Sequence, residues 1–144
     1  MDIVAVYNRS LYAAKGLAAQ MGVATLATDD WAQLPKNADL YVLAVADQAI
    51  GPVAQQLSAQ LGPDVPMAHT SGATPITVLA PFTSRFGGLY PLQSFSNHRP
   101  IDFAQIPFCV QASDPTLLNL LRAMAQKMSP QVYELDDAQR AQLH

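Results

Sequence analysis

The segment VAVYNRS, residues 4–10, sets a pattern that the rest of the chain repeats. The apolar run over residues 3–7 is too short for a helix and is bounded by polar residues, which predicts a buried strand. An Ala- and Leu-rich stretch follows at once, with Ser10 placed to cap a helix and Gly22 placed to end it. A strand that passes directly into a helix is half of a βαβ unit, so the segment favours an α/β fold.

Short apolar runs alternate with helical patterns to the end of the chain. The run over residues 40–46 is apolar throughout, which is typical of a strand buried on both faces of a parallel sheet. Asp114 and Pro115 are placed as the cap and first residue of a long helix. The other predicted strands are residues 23–26 and the runs VPMAH, FGGLYP, FCVQA and QVYEL. We therefore predict an α/β domain with a mostly parallel sheet flanked by helices.

Composition limits the class of protein. The 144 residues suit one domain, and 50% hydrophobic with 13% charged residues supports a sizeable core. A net charge of -3 and a pI near 5.4 argue against nucleic acid or an anionic membrane as the main partner. The single cysteine, Cys109, excludes an internal disulfide and is expected to pack in the core. The lone cysteine fits a reducing cytoplasm, where we expect the protein to reside. The apolar runs are too short to span a bilayer, and the N-terminus does not have the pattern of a signal peptide.

Asn8, Arg9 and Ser10 form the first of three polar strand ends. In open α/β sheets, ligands bind beyond the carboxyl ends of the strands. An acidic residue at such a position usually meets the bare ribose of a dinucleotide, whereas Arg with Asn and Ser donors suits a 2′-phosphate. The alternative is an ordinary turn in which Ser10 caps the helix and Arg9 points into water. The pattern alone does not separate the two interpretations.

The second strand end is Val45, Ala46 and Asp47. Small residues there would let a flat ring or a pyrophosphate approach the backbone. Asp47 is a candidate to bind a substrate donor, although the favoured interpretation makes it the cap of the following helix.

The third strand end is His69, Thr70, Ser71 and Gly72. A histidine beside two hydroxyls is a candidate for acid–base chemistry, because histidine titrates near neutrality. The alternative is that His69 and Thr70 satisfy backbone groups in a turn. Hydrolase chemistry through Ser71 is the weakest hypothesis, because Ser71 does not lie in a G-x-S-x-G turn.

Two further sets of polar residues complete the candidates. Gln93 follows the Gly-Gly strand, where it either lines a pocket or forms part of a loop. The three histidines, His69, His98 and His144, lack metal-ligand spacing, so we expect no metal site.

Together the segments resemble a known family. The chain resembles bacterial Rossmann-like oxidoreductases that contain the DUF2520 domain and are similar to pyrroline-5-carboxylate reductase. The segments that carry the resemblance occur in the same order in that family: VAVYNRS, LYVLAVADQAI, AHTSGA, LYPLQSFS, IDFAQIPFCVQAS and QRAQLH. The resemblance implies an NADP-binding domain, a helical domain that helps a homodimer form, and hydride transfer to or from a small carbonyl or imine compound. The alternative is a non-catalytic or degenerate module that binds a nucleotide or a partner.

The resemblance also implies roles for the three strand ends. Asn8, Arg9 and Ser10 would contact the 2′-phosphate and ribose, and residues 45–47 would flank the pyrophosphate and the nicotinamide ribose. Residues 69–72 would lie near the nicotinamide. The catalytic candidates are then His69, Ser71 and Gln93, with Gln93 on the substrate side.

Compared with this family, the chain lacks the first strand, its glycine-rich turn and the following helix, a unit of about 30 residues. Residues 1–135 would form an incomplete NADP-binding domain, and residues 136–144 would begin the helix that leads into an absent helical domain. The missing strand normally lies at the centre of the sheet, between the strands that here are residues 3–7 and 40–46. We expect these two strands either to pair with each other or to leave an edge through which the chain self-associates.

Overall fold

The computed structural model describes residues 1–22, 24–92 and 102–143, apart from the side chain of Phe103. The strands are β1 (Ala5–Tyr7), β2 (Leu26–Thr28), β3 (Tyr41–Leu43), β4 (Met67–His69), β5 (Phe86–Pro91), β6 (Phe108–Ala112) and β7 (Val132–Glu134). The α-helices are α1 (Leu11–Met21), α2 (Ile50–Leu61), α3 (Pro115–Met128) and α4 (Asp137–Leu143). Short 3₁₀ turns cover Trp31–Gln33, Asp47–Ala49, Ile76–Leu79 and Phe103–Gln105.

The helices begin and end where short-range hydrogen bonding dictates. Ser10 Oγ accepts from the Ala13 amide at the start of α1, and Asp114 Oδ1 accepts from the Leu117 amide at the start of α3. Gly22 follows α1 with a φ of 139°, a conformation that glycine adopts without steric cost. These contacts confirm both predicted caps.

The strands form two sheets. β1 and β2 pair in parallel, and a second sheet has the order β3-β4-β5-β6-β7. The pairs β3–β4, β4–β5 and β6–β7 are parallel, and only β6 runs antiparallel to its neighbour β5. The sheet is therefore mostly parallel, as predicted.

Helices cover both faces of the larger sheet. Met67 and Ala68 are adjacent on β4, so their side chains point to opposite faces. Met67 packs in a cluster with Ile50 and Leu57 of α2, whereas Ala68 packs in a second cluster that contains Leu117 of α3. The result is the three-layer arrangement of an α/β domain.

Two side chains of the smaller sheet join it to the larger one. Ala5 and Tyr7 of β1 pack against the cluster on the α2 side, and the Tyr7 ring stacks on Trp31 with 3.7 Å between ring centroids. Cys109 is buried in β6, where burial raises the pKa of its thiol, so the expectation of a packing residue is confirmed.

β1 and β3 belong to different sheets, and we call the unpaired strand position between them the slot. No strand of the described residues pairs with β1 on the side away from β2, or with β3 on the side away from β4. Of the two expected outcomes, pairing of these strands with each other is therefore excluded, and self-association through an open edge stays a prediction. The interpretation of residues 40–46 as a strand buried on both faces is wrong, because only Tyr41–Leu43 is extended and Val42 is 44% exposed beside the slot.

Exposed large apolar side chains are concentrated in the first third of the chain. Among the described residues, twelve large apolar side chains are exposed, and ten of them belong to residues 1–45. The first 45 residues, which contain β1, β2 and β3, therefore expose most of the large apolar side chains of the described residues. Within the described residues, no helix is long and apolar enough to cross a membrane.

The close approach of α3 to the sheet predicts the effect of Gly87→Ala. A Cβ at Gly87 would lie 2.6 Å from the Gln111 carbonyl oxygen and 2.8 Å from Leu121 Cδ1. We expect the free energy of unfolding to fall by about 1–3 kcal/mol, the usual cost of overpacking. Gly16→Ala is the matched control, because no atom beyond its chain neighbours and the backbone of its own helix lies within 4 Å of its Cβ position, and alanine favours the helix. Urea denaturation of both variants measures the difference, and equal stability would contradict the packing argument.

From the open edge of β3 we predict that the chain self-associates through this strand. Tyr41 donates its amide to Pro66 on the β4 side, so the backbone groups of Val42 point into the slot. We expect Val42→Lys to weaken self-association about tenfold or more, because charged residues on an edge strand oppose strand pairing. Tyr133→Lys, on the opposite edge strand β7, is the control and should leave association unchanged. Sedimentation equilibrium measures the association of both variants. If only the Tyr133 variant dissociates, the contact lies at the β7 edge and the prediction for β3 is contradicted.

Candidate functional site

Two of the three polar strand ends lie side by side. β3 and β4 are parallel, with Leu43 opposite His69, so the segments that follow them emerge at the same edge of the sheet. Residues 44–48 are exposed there, and Thr70 is half-buried. We call this edge, with the end of β1, the rim.

Asp47 does not cap a helix. A 3₁₀ turn, Asp47–Ala49, separates β3 from α2, so α2 begins at Ile50 and its N-cap residue is Ala49. No side chain caps either element, and the interpretation of Asp47 as a helix cap is therefore wrong. The extra turn leaves the Asp47 carboxylate exposed on the rim, where it is available to a ligand.

The end of β1 is a tight polar turn. Asn8 Oδ1 accepts from the Ser10 amide at 2.9 Å, while Ser10 Oγ caps α1. Arg9 is exposed and takes part in none of the ion pairs found among the described residues. The turn interpretation accounts for Asn8 and Ser10, while the Arg9 guanidinium stays available for an anion.

His69 faces the interior. Its side chain is fully buried, with Nε2 3.2 Å from the Pro75 carbonyl oxygen and Nδ1 accepting from the Ser71 amide at 3.1 Å. A carbonyl oxygen only accepts, so Nε2 carries the proton and the ring is neutral. Burial lowers the pKa of His69, the Pro75 hydrogen bond opposes that shift, and the nearby Arg140 reinforces it. Both nitrogens thus serve the turn, which is the structural interpretation of this histidine.

The hydroxyl of Ser71 is also committed to the turn. Ser71 Oγ accepts from the Ala73 and Thr74 amides at 3.3 and 3.0 Å and bonds Thr74 Oγ1 at 3.0 Å. The His69 ring bonds the amide of Ser71 and not its hydroxyl. The geometry therefore provides no serine–histidine pair for hydrolase chemistry.

One participant at the site was missed from the sequence. Arg140 of α4 is 2% exposed and donates to the Thr74 carbonyl oxygen, within the turn that follows β4. A single arginine in a short polar helix gives no local sign of burial, so only its long-range partners reveal this role.

The remaining candidate residues are not among the described residues, and the cavities lie away from the rim. Gln93, His98 and His144 lie outside the described residues. Within the described part of the chain, no three His, Cys, Asp or Glu residues are grouped to hold a metal ion. Two shallow cavities of about 270 and 340 Å³ include Ala38 and Pro66, at the edge of the sheet opposite the rim.

The sequence pattern of a known domain family covers more than half of the chain. The family is described as Rossmann-like domain, and the match extends over residues 2–94. The chain belongs to this Rossmann-like family. In the usual Rossmann order 3-2-1-4-5-6, the present β2, β1, β3, β4 and β5 take positions 3, 2, 4, 5 and 6. The slot between β1 and β3 coincides with position 1 of that order.

Solved structures of similar proteins support the same fold. A Bacteroides fragilis protein assigned as an NADP oxidoreductase is 34% identical, with a TM-score of 0.88 over 99% of this chain and 54% of that one. Arogenate dehydrogenase from Synechocystis is 17% identical, with a TM-score of 0.80 over 94% and 52% of the two chains. A Thermotoga maritima protein is 21% identical, with a TM-score of 0.72 over 96% and 51%. The latter two likenesses show the fold alone.

The chain spans about half the length of each of these structures. No curated protein matches the sequence significantly.

The buried neutral His69 predicts a pH dependence of stability. Its pKa in the folded protein lies below the ordinary value of 6.5, so the unfolded chain binds the proton more readily. The contribution of His69 is complete above pH 6.5 and is lost as the pH falls from there toward the folded pKa. We expect His69→Gln to flatten this part of the curve, measured by urea denaturation between pH 8 and pH 5, about the range in which histidine titrates. An equally steep fall in the variant would contradict the assignment.

Proposed function

We propose that the chain is the Rossmann-like part of an NADP-dependent oxidoreductase that transfers hydride between nicotinamide and a small carbonyl or imine compound. The observation that carries this proposal is the strand order. In Rossmann sheets the dinucleotide crosses the carboxyl ends of the strands where the order reverses, at position 1. The slot at that position separates Arg9 from the β3 and β4 ends. The NADP oxidoreductase assignment of the 34% identical Bacteroides fragilis protein supports the same class of reaction.

The residues of the rim fit the two ends of such a cofactor. Arg9 is an exposed cation with no carboxylate partner among the described residues, which suits the 2′-phosphate of NADP. Ala46 and Val45 present small exposed side chains for the pyrophosphate and nicotinamide ribose, with the Asp47 carboxylate beside them for a ribose hydroxyl. Thr70 then faces the nicotinamide from the end of β4.

The cofactor would supply the hydride, and the protein would supply position and electrostatics. We assign His69 and Ser71 to holding the turn at the end of β4, because both ring nitrogens and the hydroxyl already have partners there. The buried Gly72 completes this turn on the nicotinamide side. Gln93 stays our proposed contact on the substrate side.

We further propose that the complete oxidoreductase needs two more segments. One is a strand with a glycine-rich turn, which would fill the slot and offer backbone donors to the pyrophosphate at a helix N-terminus. The other is a helical domain that continues from α4 and forms the homodimer, as in relatives of pyrroline-5-carboxylate reductase. Residues 1–135 would then be the NADP-binding portion.

The open slot favours one alternative function. A domain with exposed strand edges and apolar surroundings suits a module that binds a nucleotide or a protein partner without turnover. Catalysis by a chain extended with a strand and glycine-rich turn, and none by the 144-residue chain, would favour the oxidoreductase over this alternative.

The exposed cation at the end of β1 predicts a preference between two cofactors. We expect the chain to bind NADPH more tightly than NADH, and Arg9→Gln to remove about 1.5–3 kcal/mol of that preference, the range for a hydrogen bond to a charged group. Isothermal titration calorimetry with each cofactor measures the four affinities.

Lys15→Gln provides the matched control, because Lys15 is an exposed cation on α1 that lies away from the β1 turn. It should leave the ratio of the two affinities unchanged. An equal loss of the preference for NADPH in the Arg9 and Lys15 variants would mean that net charge, and not the β1 turn, attracts the phosphate. Absence of binding for either cofactor to the unaltered chain would contradict a working adenosine-phosphate site in these residues.

A further inference from the structure

Arg140 is a buried cation on the short helix α4. Its side chain is 2% exposed, although it carries a full positive charge. Burying a charge is costly, and apolar residues of similar volume often give equal or greater stability. A charged residue at this position therefore calls for an explanation other than stability, and its hydrogen bonds provide one.

The guanidinium joins three parts of the chain. Nη1 donates to Gln111 Oε1 of β6 at 2.7 Å, and Nη2 donates to the Thr74 carbonyl oxygen and to Asp137 Oδ1, the latter at 3.1 Å. The same Asp137 oxygen accepts from the Ile76 amide at 3.0 Å. Helix α4 thus holds both sides of Pro75 in the loop that follows β4.

The opposite side of that loop is held by β4 and by the loop itself. His69 Nε2 donates to the Pro75 carbonyl oxygen, and Ser71 Oγ accepts from the Thr74 amide. The backbone from 74 to 76 consequently lies between two sets of hydrogen bonds. Only one of them, the pair Asp137 and Arg140, comes from an element distant in sequence.

Gly88 of β5 brings the sheet close to Ile76. A Cβ at Gly88 would lie 3.1 Å from Ile76 Cγ2, which is a tight contact, and 3.7 Å from Arg140 Nη1, which is an ordinary van der Waals distance. The sheet therefore packs closely against Ile76, the residue whose amide donates to Asp137.

We infer that Asp137 and Arg140 form a positioning clasp, which makes the conformation of residues 71–76 depend on the docking of α4. The loop follows β4 on the rim, so the clasp sets the nicotinamide end of the site and leaves the Arg9 end untouched. The consequence for the cofactor rests on the proposed function, whereas the clasp itself does not. Arg140 acts through the loop and is a positioning residue.

Hydrogen exchange of single amides tests the clasp without any ligand. Arg140→Met keeps the bulk of the side chain and removes its hydrogen bonds, and we expect the Ile76 and Thr74 amides to exchange about tenfold faster or more, as for the loss of a charged hydrogen bond. The Leu121 amide of α3 should keep its rate. Uniform acceleration across all three amides would show a general loss of stability and overturn the proposal.

Two further variants keep this test decisive. Arg122→Met is the matched control, because it breaks the exposed ion pair between Arg122 and Glu134 and should leave the loop unaffected.

Asp137→Asn keeps an acceptor for the Ile76 amide and removes the ion pair with Arg140, so it should also loosen the loop. If Arg140→Met does not fold, the Asp137 variant decides the question, and unchanged exchange at Thr74 and Ile76 would overturn the clasp.

Cofactor binding then tests the consequence for the site. We expect Arg140→Met to weaken NADPH binding about tenfold, the effect of one lost charged hydrogen bond, and to leave 2′,5′-ADP, which lacks the nicotinamide, unaffected. Equal weakening of both ligands would overturn the selective role of the clasp. Failure of the unaltered chain to bind either ligand would contradict the proposed function, while the exchange experiment would still decide whether the clasp exists.

Discussion

The parallel pairing of β3 with β4 is the constraint on which the site depends. Parallel strands leave the sheet at the same edge, and the register that sets Leu43 opposite His69 brings the segments after both strands together. The pairing is fixed from both faces, because α2 and α3 pack on opposite sides of β4. A slip of one residue would turn Met67 toward the wrong helix and move the polar strand ends apart.

Features set by nearest neighbours could be predicted from the sequence. The strand FCVQA, the cap at Asp114 and the glycine after α1 depend on residues close in the chain, and all three were correct. Features set by residues distant in the chain could not be predicted. Residues 40–46 have the composition of a buried strand, yet β3 ends at Leu43 beside a slot with no partner strand among the described residues.

The candidate site shows the same division more sharply. The three strand ends were found from their polarity, but polarity does not reveal which way a side chain points. Histidine is a residue type suited to catalysis, yet the His69 side chain is buried and holds a loop. Asp47 was expected to cap a helix, yet its side chain is exposed. Arg140 could not be found at all, because its partners Thr74 and Gln111 lie 66 and 29 residues away.

Because β6 runs antiparallel to β5, the helix termini at this edge of the sheet carry partial charges of opposite sign on its two sides. On the β1–β3 side, the chain leaves each strand and enters a helix, so the N-termini of α1 and α2, with their partial positive charge, lie at the rim. Beyond β5 the chain direction reverses, and the C-terminus of α3, which carries partial negative charge, reaches that edge before β7. By their sign, these partial charges favour an anionic group near the starts of α1 and α2 and disfavour one near the end of α3. The reversal of direction at β6 therefore places helix ends of opposite partial charge along one edge of the sheet.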